Sequence, residues 1–305
     1  MTGTVSGGLI DVEGPWSHRW VSANGARFHV AEIGTGPLVL FLHGFPEFWW
    51  AWRHQLPVLA DLGYRAAAMD LRGYGGSDKT PRGYDPITLA RDIAGLVRSL
   101  GHSDAVLVGH GWGGYAAWAT ATLHPRQVSQ LAVVGAPHPL RLRDAALRSA
   151  RQLRSATHIL SFQAPILPER RLVADDGALV ERLLRRWAAP GSTFPDPEAS
   201  LRYRRAMQLW PAPHCALEYY RWLVRAFFRA DGRRFVARMK HPVRQRVLQV
   251  HGALDPSVLP ATAEGSAEYV AGPYRWRLLD GVGHFPHEEA PDEFTKVLVA
   301  WLTDA

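Results

Sequence analysis

The sequence predicts an α/β protein: a mostly parallel sheet covered by helices, with a helical lid inserted between two of its strands. Three observations carry this. Short apolar runs alternate with amphipathic stretches as far as residue 139, as parallel strands joined by crossover helices do. The alternation stops between residues 140 and 240 and then resumes. Finally, Val106-Leu107-Val108 runs into Gly109-His110-Gly111-Trp112-Gly113-Gly114 and a helix-like stretch over residues 115–123, the layout of a nucleophile elbow. Such an elbow turns a strand sharply into a helix and lifts one side chain into a pocket, and flanking glycines relieve the crowding. Here the raised position is Gly111, which has no side chain to lift.

Residues 20–29 and 30–33 read as two strands, with Asn24-Gly25 a strong hairpin turn between them or at their start. Residues 37–42 form a short buried strand ending at His43-Gly44, and 48–62 a helix stopped by Gly63. The next strand is 64–69, with Asp70 at its end capping a turn. Residues 86–100 are amphipathic through Ile87, Leu89, Ile93, Leu96, Val97 and Leu100, and Gly101 closes that helix. Strands over 104–108 and 128–134 bracket the elbow and its helix. Helical patterns punctuated by prolines then run to residue 240, before strands at 243–250 and 275–279 and a last helix at 291–302. Because the sheet continues on both sides, the middle block reads as a lid: residues 1–139 and 241–305 form the core domain and 140–240 the cap.

A chain of 305 residues, 47% apolar and 21% charged, can bury a large core as one enzyme-sized unit. No basic stretch followed by an apolar run opens it, and no apolar run approaches the ~20 residues that span a bilayer, so a cytoplasmic protein is expected. Cys215, the single cysteine, reads as a buried packing residue, and no zinc-ligand spacing is present, so neither a metal nor a cofactor is expected. The net charge of +7 comes from arginines such as Arg141, Arg148, Arg182 and Arg204, set at helical spacing in the middle block. That is the pattern of solvated helix faces, so nucleic acid is not an expected partner, and an anionic membrane surface is a disfavoured one. A monomer or a homodimer suits this composition.

Taken together, the motifs resemble the α/β-hydrolase fold family, and within it the epoxide hydrolases. The matching runs are His43-Gly44-Phe45-Pro46-Glu47, Asp70-Leu71-Arg72-Gly73-Tyr74-Gly75-Gly76-Ser77-Asp78, the elbow, His251-Gly252-Ala253-Leu254-Asp255-Pro256 and Gly283-His284. Arg82-Gly83-Tyr84-Asp85 is similar to actinobacterial, including mycobacterial, members. The resemblance implies an eight-stranded sheet and a two-step reaction, in which an elbow carboxylate opens the epoxide and activated water then hydrolyses the ester. It makes His284 the water-activating base and Asp255 its partner acid, with a turn-forming aspartate before Pro256 as the plainer reading. It makes the backbone N–H groups of Phe45 and Trp112 the oxyanion hole, and Tyr220, beside Tyr219, a lid tyrosine that donates to the epoxide oxygen.

Two positions depart from that pattern. Gly111 stands where the family has its nucleophilic aspartate, and Ser161, in Ile159-Leu160-Ser161-Phe162-Gln163, stands where it has its first lid tyrosine. Pro46, His110, Ser161 and Tyr219 are expected around the substrate pocket, and His287 reads as a surface or supporting histidine. The function these residues imply is hydrolysis of a hydrophobic small molecule (an epoxide, ester or lactone) by water that His284 and Asp255 activate. The alternative is a non-catalytic, small-molecule-binding pseudoenzyme.

Overall fold

One sheet of eight strands organises the chain, in the order β1-β2-β4-β3-β5-β6-β7-β8. The strands are β1 Ser17–Ala23, β2 Ala26–Ile33, β3 Leu38–Leu42, β4 Arg65–Met69, β5 Ala105–His110, β6 Val128–Val134, β7 Arg246–Gly252 and β8 Tyr274–Leu279. The structure, a computed structural model, describes residues 7–155 and 157–304. β1 and β2 pair antiparallel, as do β2 and β4, and every other neighbouring pair is parallel. Every residue of β3 and of β5 is buried, as helices on both faces of a parallel sheet require.

Several boundaries differ from the sequence reading, each for a local reason. Asn24 and Gly25 both have positive φ, 45° and 73°, so the hairpin turn falls inside the stretch 20–29 and residues 30–33 simply continue β2. The single helix expected over 48–62 is two pieces, a 3-10 turn Trp49–Trp52 and a helix Gln55–Asp61. Pro57 explains the break: it lacks an N–H and is tolerated only in the first turn, so a helix cannot run through it from upstream. Val243 makes only an isolated bridge to Val270, and β7 begins three residues later, at Arg246.

Between β6 and β7 lie eight helices among the described residues, from Pro139–Arg148 to Ala230–Met239, the stretch Leu167–Trp187 being two helices split at a kink over 174–177. Of the prolines of this block that looked like breakers, Pro168, Pro197 and Pro213 sit in first turns, of Leu167–Trp187, Pro197–Met207 and Ala212–Arg225, where a missing N–H costs nothing. Among the described residues no helix is long and apolar enough to cross a membrane.

A buried ion pair after β4 secures a residue on which the helical block rests. Arg72 donates through Nε and Nη2 to the two carboxylate oxygens of Asp92, at 2.7 and 2.6 Å. Asn24, from the hairpin turn, donates to the same carboxylate at 2.7 Å. The Arg72 carbonyl accepts the Tyr219 hydroxyl at 2.7 Å, so the Arg72–Asp92 pair links the hairpin, the helix Pro86–Ser99 and the helical block. Asp92→Ala would leave the guanidinium buried and unpaired. A loss of about 3–5 kcal/mol in urea unfolding is expected. A loss below about 1 kcal/mol, the range of exposed pairs, would show that water reaches the site and that the anchor is not as described.

Candidate active site

β5 is buried along its whole length and ends at His110, after which Gly111 turns with φ 50° into the elbow helix Gly111–Leu123. Two glycines of this turn are demanded by space. A Cβ on Gly109 would lie 2.5 Å from the Gly113 carbonyl oxygen, and one on Gly113 only 2.2 Å from that of Leu42. Gly111 is different. Its Cβ would meet only the Gly44 Cα at 3.5 Å and His284 Nε2 at 3.9 Å, ordinary contacts, so only the positive φ resists a side chain there.

Asp255 and His284 meet as the sequence expects, with Oδ2 of Asp255 2.7 Å from Nδ1 of His284. The other carboxylate oxygen accepts the N–H groups of Ser257 and Val258 at 2.8 and 2.9 Å. Asp255 is therefore turn former and histidine partner at once. His251 Nε2 lies 3.2 Å from the shared oxygen and 2.9 Å from the Val258 carbonyl, a further support the sequence reading missed. Burial pushes the Asp255 carboxyl up, but the charge and hydrogen bond of His284 hold it below its usual range. Burial likewise opposes charge on His284, and the Asp255 carboxylate outweighs it, holding its pKa above the usual 6.5. Since Asp255 takes the Nδ1 proton, Nε2 carries the lone pair and faces Gly111, the orientation a general base needs.

His284 is also fixed through its backbone. Its N–H donates to the Trp187 carbonyl at 2.8 Å, and its carbonyl accepts His110 Nε2 at 2.9 Å. His110 Nδ1 is 2.7 Å from Glu47 Oε2, which also accepts the Gly44 N–H at 3.0 Å, while Glu47 Oε1 accepts His287 Nε2 at 2.9 Å. Burial opposes ionisation of Glu47, yet the two histidines hold its carboxyl well below its usual range. His110 thus faces away from the cavity, toward Glu47. His287 is not a surface residue: it is fully buried and stacked on Trp52 at 4.4 Å.

A cavity of about 90 Å³ lies over the elbow, lined by Phe45, Gly111, Trp112, Tyr220 and His284 among others. Neither Phe45 nor Trp112 donates its backbone N–H to a backbone carbonyl among the described residues, and no side chain caps the elbow helix. Both N–H groups remain available to an oxyanion. Burial holds the Tyr220 hydroxyl pKa above its usual value, with the Trp112 indole, edge-on at 5.1 Å, partly opposing; the phenol keeps its proton and can donate.

Four expected lining residues do not line the cavity. Pro46 is buried behind Phe45, following a cis peptide bond, and His110 is engaged by Glu47. Tyr219 spends its hydroxyl on the Arg72 carbonyl. Ser161 is exposed at the end of the short helix Thr157–Ser161, its Oγ donating to the His158 carbonyl at 2.8 Å. In their place stand His158, Gln152 and Ser257, which motif matching had no means of finding. Burial pushes His158 down to about 4, so it is neutral at ordinary pH.

This chain belongs to the alpha/beta hydrolase fold family, whose match covers residues 37–291, and it is an epoxide hydrolase-like member. It is 34% identical to Epoxide hydrolase 3 of Xenopus tropicalis over 92% of this chain and 76% of the relative. It is 31% identical to Epoxide hydrolase A of Mycobacterium tuberculosis over 94% of this chain and 97% of the relative. An epoxide hydrolase from Vigna radiata superimposes with a TM-score of 0.81 at 26% identity, covering 95% of this chain and 98% of that one.

The geometry separates the roles of two adjacent tyrosines. Tyr219→Phe is expected to cost about 1 kcal/mol of stability and little turnover, and Tyr220→Phe to reduce turnover with little change in stability. The reverse pattern, read from melting curves and kinetics, would exchange the assignments. A second expectation concerns pH. Only neutral His284 is a base, so turnover should rise with pH through a limb lying above the ordinary histidine value of 6.5. Asp255→Asn should move the limb down and slow turnover about 10²–10⁴-fold. An unmoved limb would assign it to another group.

Proposed function

We propose that this protein hydrolyses a hydrophobic epoxide, ester or lactone with water that His284 activates directly, with no covalent intermediate. The observation that carries this is the facing of His284 Nε2 and Gly111, 3.9 Å from the Cβ that Gly111 lacks. The space a nucleophilic side chain would fill is thereby left to water and substrate, beside a histidine held in its base orientation. With an ester or lactone, water attacks the carbonyl and the N–H groups of Phe45 and Trp112 receive the oxyanion. With an epoxide, water attacks a ring carbon, and Tyr220 donates a proton to the opening oxygen. The relatives are named epoxide hydrolases, which favours the second. General-base catalysis is typically worth ~10²–10⁴-fold, so slow turnover is expected. A pseudoenzyme that only binds such molecules needs neither Asp255 nor His284, and their 2.7 Å contact favours the enzyme.

Single-turnover hydrolysis of an epoxide and ester panel in H₂¹⁸O, followed by mass spectrometry, tests the mechanism. The label should enter product in the first turnover and never the protein, and His284→Ala should abolish the reaction. Turnover that survives His284→Ala would refute the mechanism, and saturable binding of the panel without turnover would establish the pseudoenzyme. Gly111→Asp is expected to raise epoxide turnover at least about tenfold and to create a covalent adduct, since its Cβ fits without clash. Failure to form an adduct would mean that the pocket has diverged beyond this position.

A further inference from the structure

We propose that Asp11, His18 and His29 form a binding site for one divalent transition-metal ion of the zinc type, at the edge of the sheet and apart from the elbow. His29 lies on β2 opposite Trp20, so His18, two residues before Trp20 on β1, is its diagonal neighbour on the same face. The two rings are within 19° of parallel, and His18 Nδ1 stands 3.1 Å from His29 Nε2. That approach looks like a hydrogen bond until the protons are assigned. The other nitrogen of His18, Nε2, is 3.0 Å from the Val12 carbonyl oxygen, which can only accept, so the proton of a neutral ring sits there. The other nitrogen of His29, Nδ1, is 2.9 Å from Asp70 Oδ2. Both oxygens of that carboxylate already accept backbone N–H groups, Trp49 on Oδ1 and Gly76 on Oδ2, each at 2.8 Å.

Each imidazole therefore spends its one proton outward, and the facing nitrogens present two lone pairs to each other. A third acceptor joins them. Asp11 Oδ1 is 3.5 Å from His29 Nε2 and is a buried atom with no hydrogen-bond partner among the described residues. Three acceptors converge and no donor among the described residues answers them, so the centre calls for a cation. Tetrahedral zinc, with ligands at about 2.0–2.2 Å, sets neighbouring ligand atoms about 3.3–3.6 Å apart; the observed 3.5 Å falls in that range and 3.1 Å is slightly short of it. Metal-bound histidines commonly give their second N–H to a carboxylate or a carbonyl, as His29 and His18 do here with Asp70 and Val12. Two imidazoles with one carboxylate suit zinc, nickel or copper rather than magnesium or calcium.

The buried group Glu47, His110 and His287 gathers the same residue types without the same need. There the Gly44 N–H points at one carboxylate oxygen, and His287 Nε2, whose other ring nitrogen has no partner among the described residues, points at the other, so each oxygen already has a donor. An ion at Asp11 would fasten the segment ahead of β1 to the hairpin, in the neighbourhood where Trp49 Nε1 already donates to the Ile10 carbonyl at 2.8 Å. The spacing Asp11, His18, His29 matches no familiar zinc pattern, because the strand pairing rather than the chain order brings the ligands together.

The test uses tag-free, full-length protein stripped with a chelator and titrated with Co²⁺ and with Zn²⁺. One equivalent should bind by calorimetry, with visible Co²⁺ absorption bands of a low-coordinate site and a melting temperature raised by several degrees. His18→Gln and Asp11→Asn should each weaken binding at least about tenfold, whereas the exposed His241→Gln should not. Asp11→Asn alters a side chain that is 36% exposed, so that variant retains the fold even if His18→Gln does not. Absence of saturable binding would overturn the proposal in favour of a single proton shared between the rings. Unchanged affinity in both ligand variants would place any bound metal elsewhere.

Discussion

A carboxylate removed from water must be answered by donors on every side, or its burial costs several kcal/mol. Glu47 is fully enclosed, and its partners come from three distant parts of the chain: Gly44 after β3, His110 at the end of β5, and His287 beyond β8. The loop that carries Phe45, the strand that ends in the elbow and the loop that carries His284 are thereby tied to one point. The tie reaches the reacting atoms through a single further bond, from His110 Nε2 to the His284 carbonyl. Asp255 then has only to set the rotation of a ring whose backbone is already fixed.

The elbow places a second constraint above the first. Gly109 and Gly113 are packed against carbonyl oxygens and could bear no side chain, whereas Gly111 could bear one at the cost of its positive φ. The fold therefore keeps the shape of an elbow at a position whose glycine offers no side chain for covalent catalysis. Around the cavity stand a histidine with its carboxylate partner, two N–H groups with no backbone acceptor among the described residues, and a buried phenol. On the proposed reading these groups polarise water and receive negative charge.

The helical block is held differently. One attachment is Tyr219 on the Arg72 carbonyl, itself secured by the buried pair with Asp92, and others are the Trp187 carbonyl on the His284 N–H and the Ala189 N–H on Glu289. The short helices near Ser161 have no such anchor on that side chain: Ser161 bonds to the carbonyl of His158, within its own turn, and faces outward. The helical block's wall of the cavity is consequently drawn from residues such as His158 and Ile159 rather than from the position that motif matching indicates.

The sequence by itself determined the parallel sheet, the inserted helices, the elbow with its missing side chain, and the pairing of His284 with Asp255. The first three are written in local chemistry, an apolar run a strand long and glycines where a turn admits nothing else; the pairing was implied by the resemblance of the motifs to a known family. The tertiary structure decided which side chains share a cavity. His110 turned toward Glu47, Tyr219 toward Arg72, and Ser161 toward solvent, while His158, Gln152 and Ser257 came in. It alone also set His18 against His29 and gave Glu47 two histidine partners. The reason is that a buried polar group takes the partner that satisfies it, and that partner is chosen by packing across elements far apart in the chain. Spacing along a motif says where a residue sits and not which way it must turn.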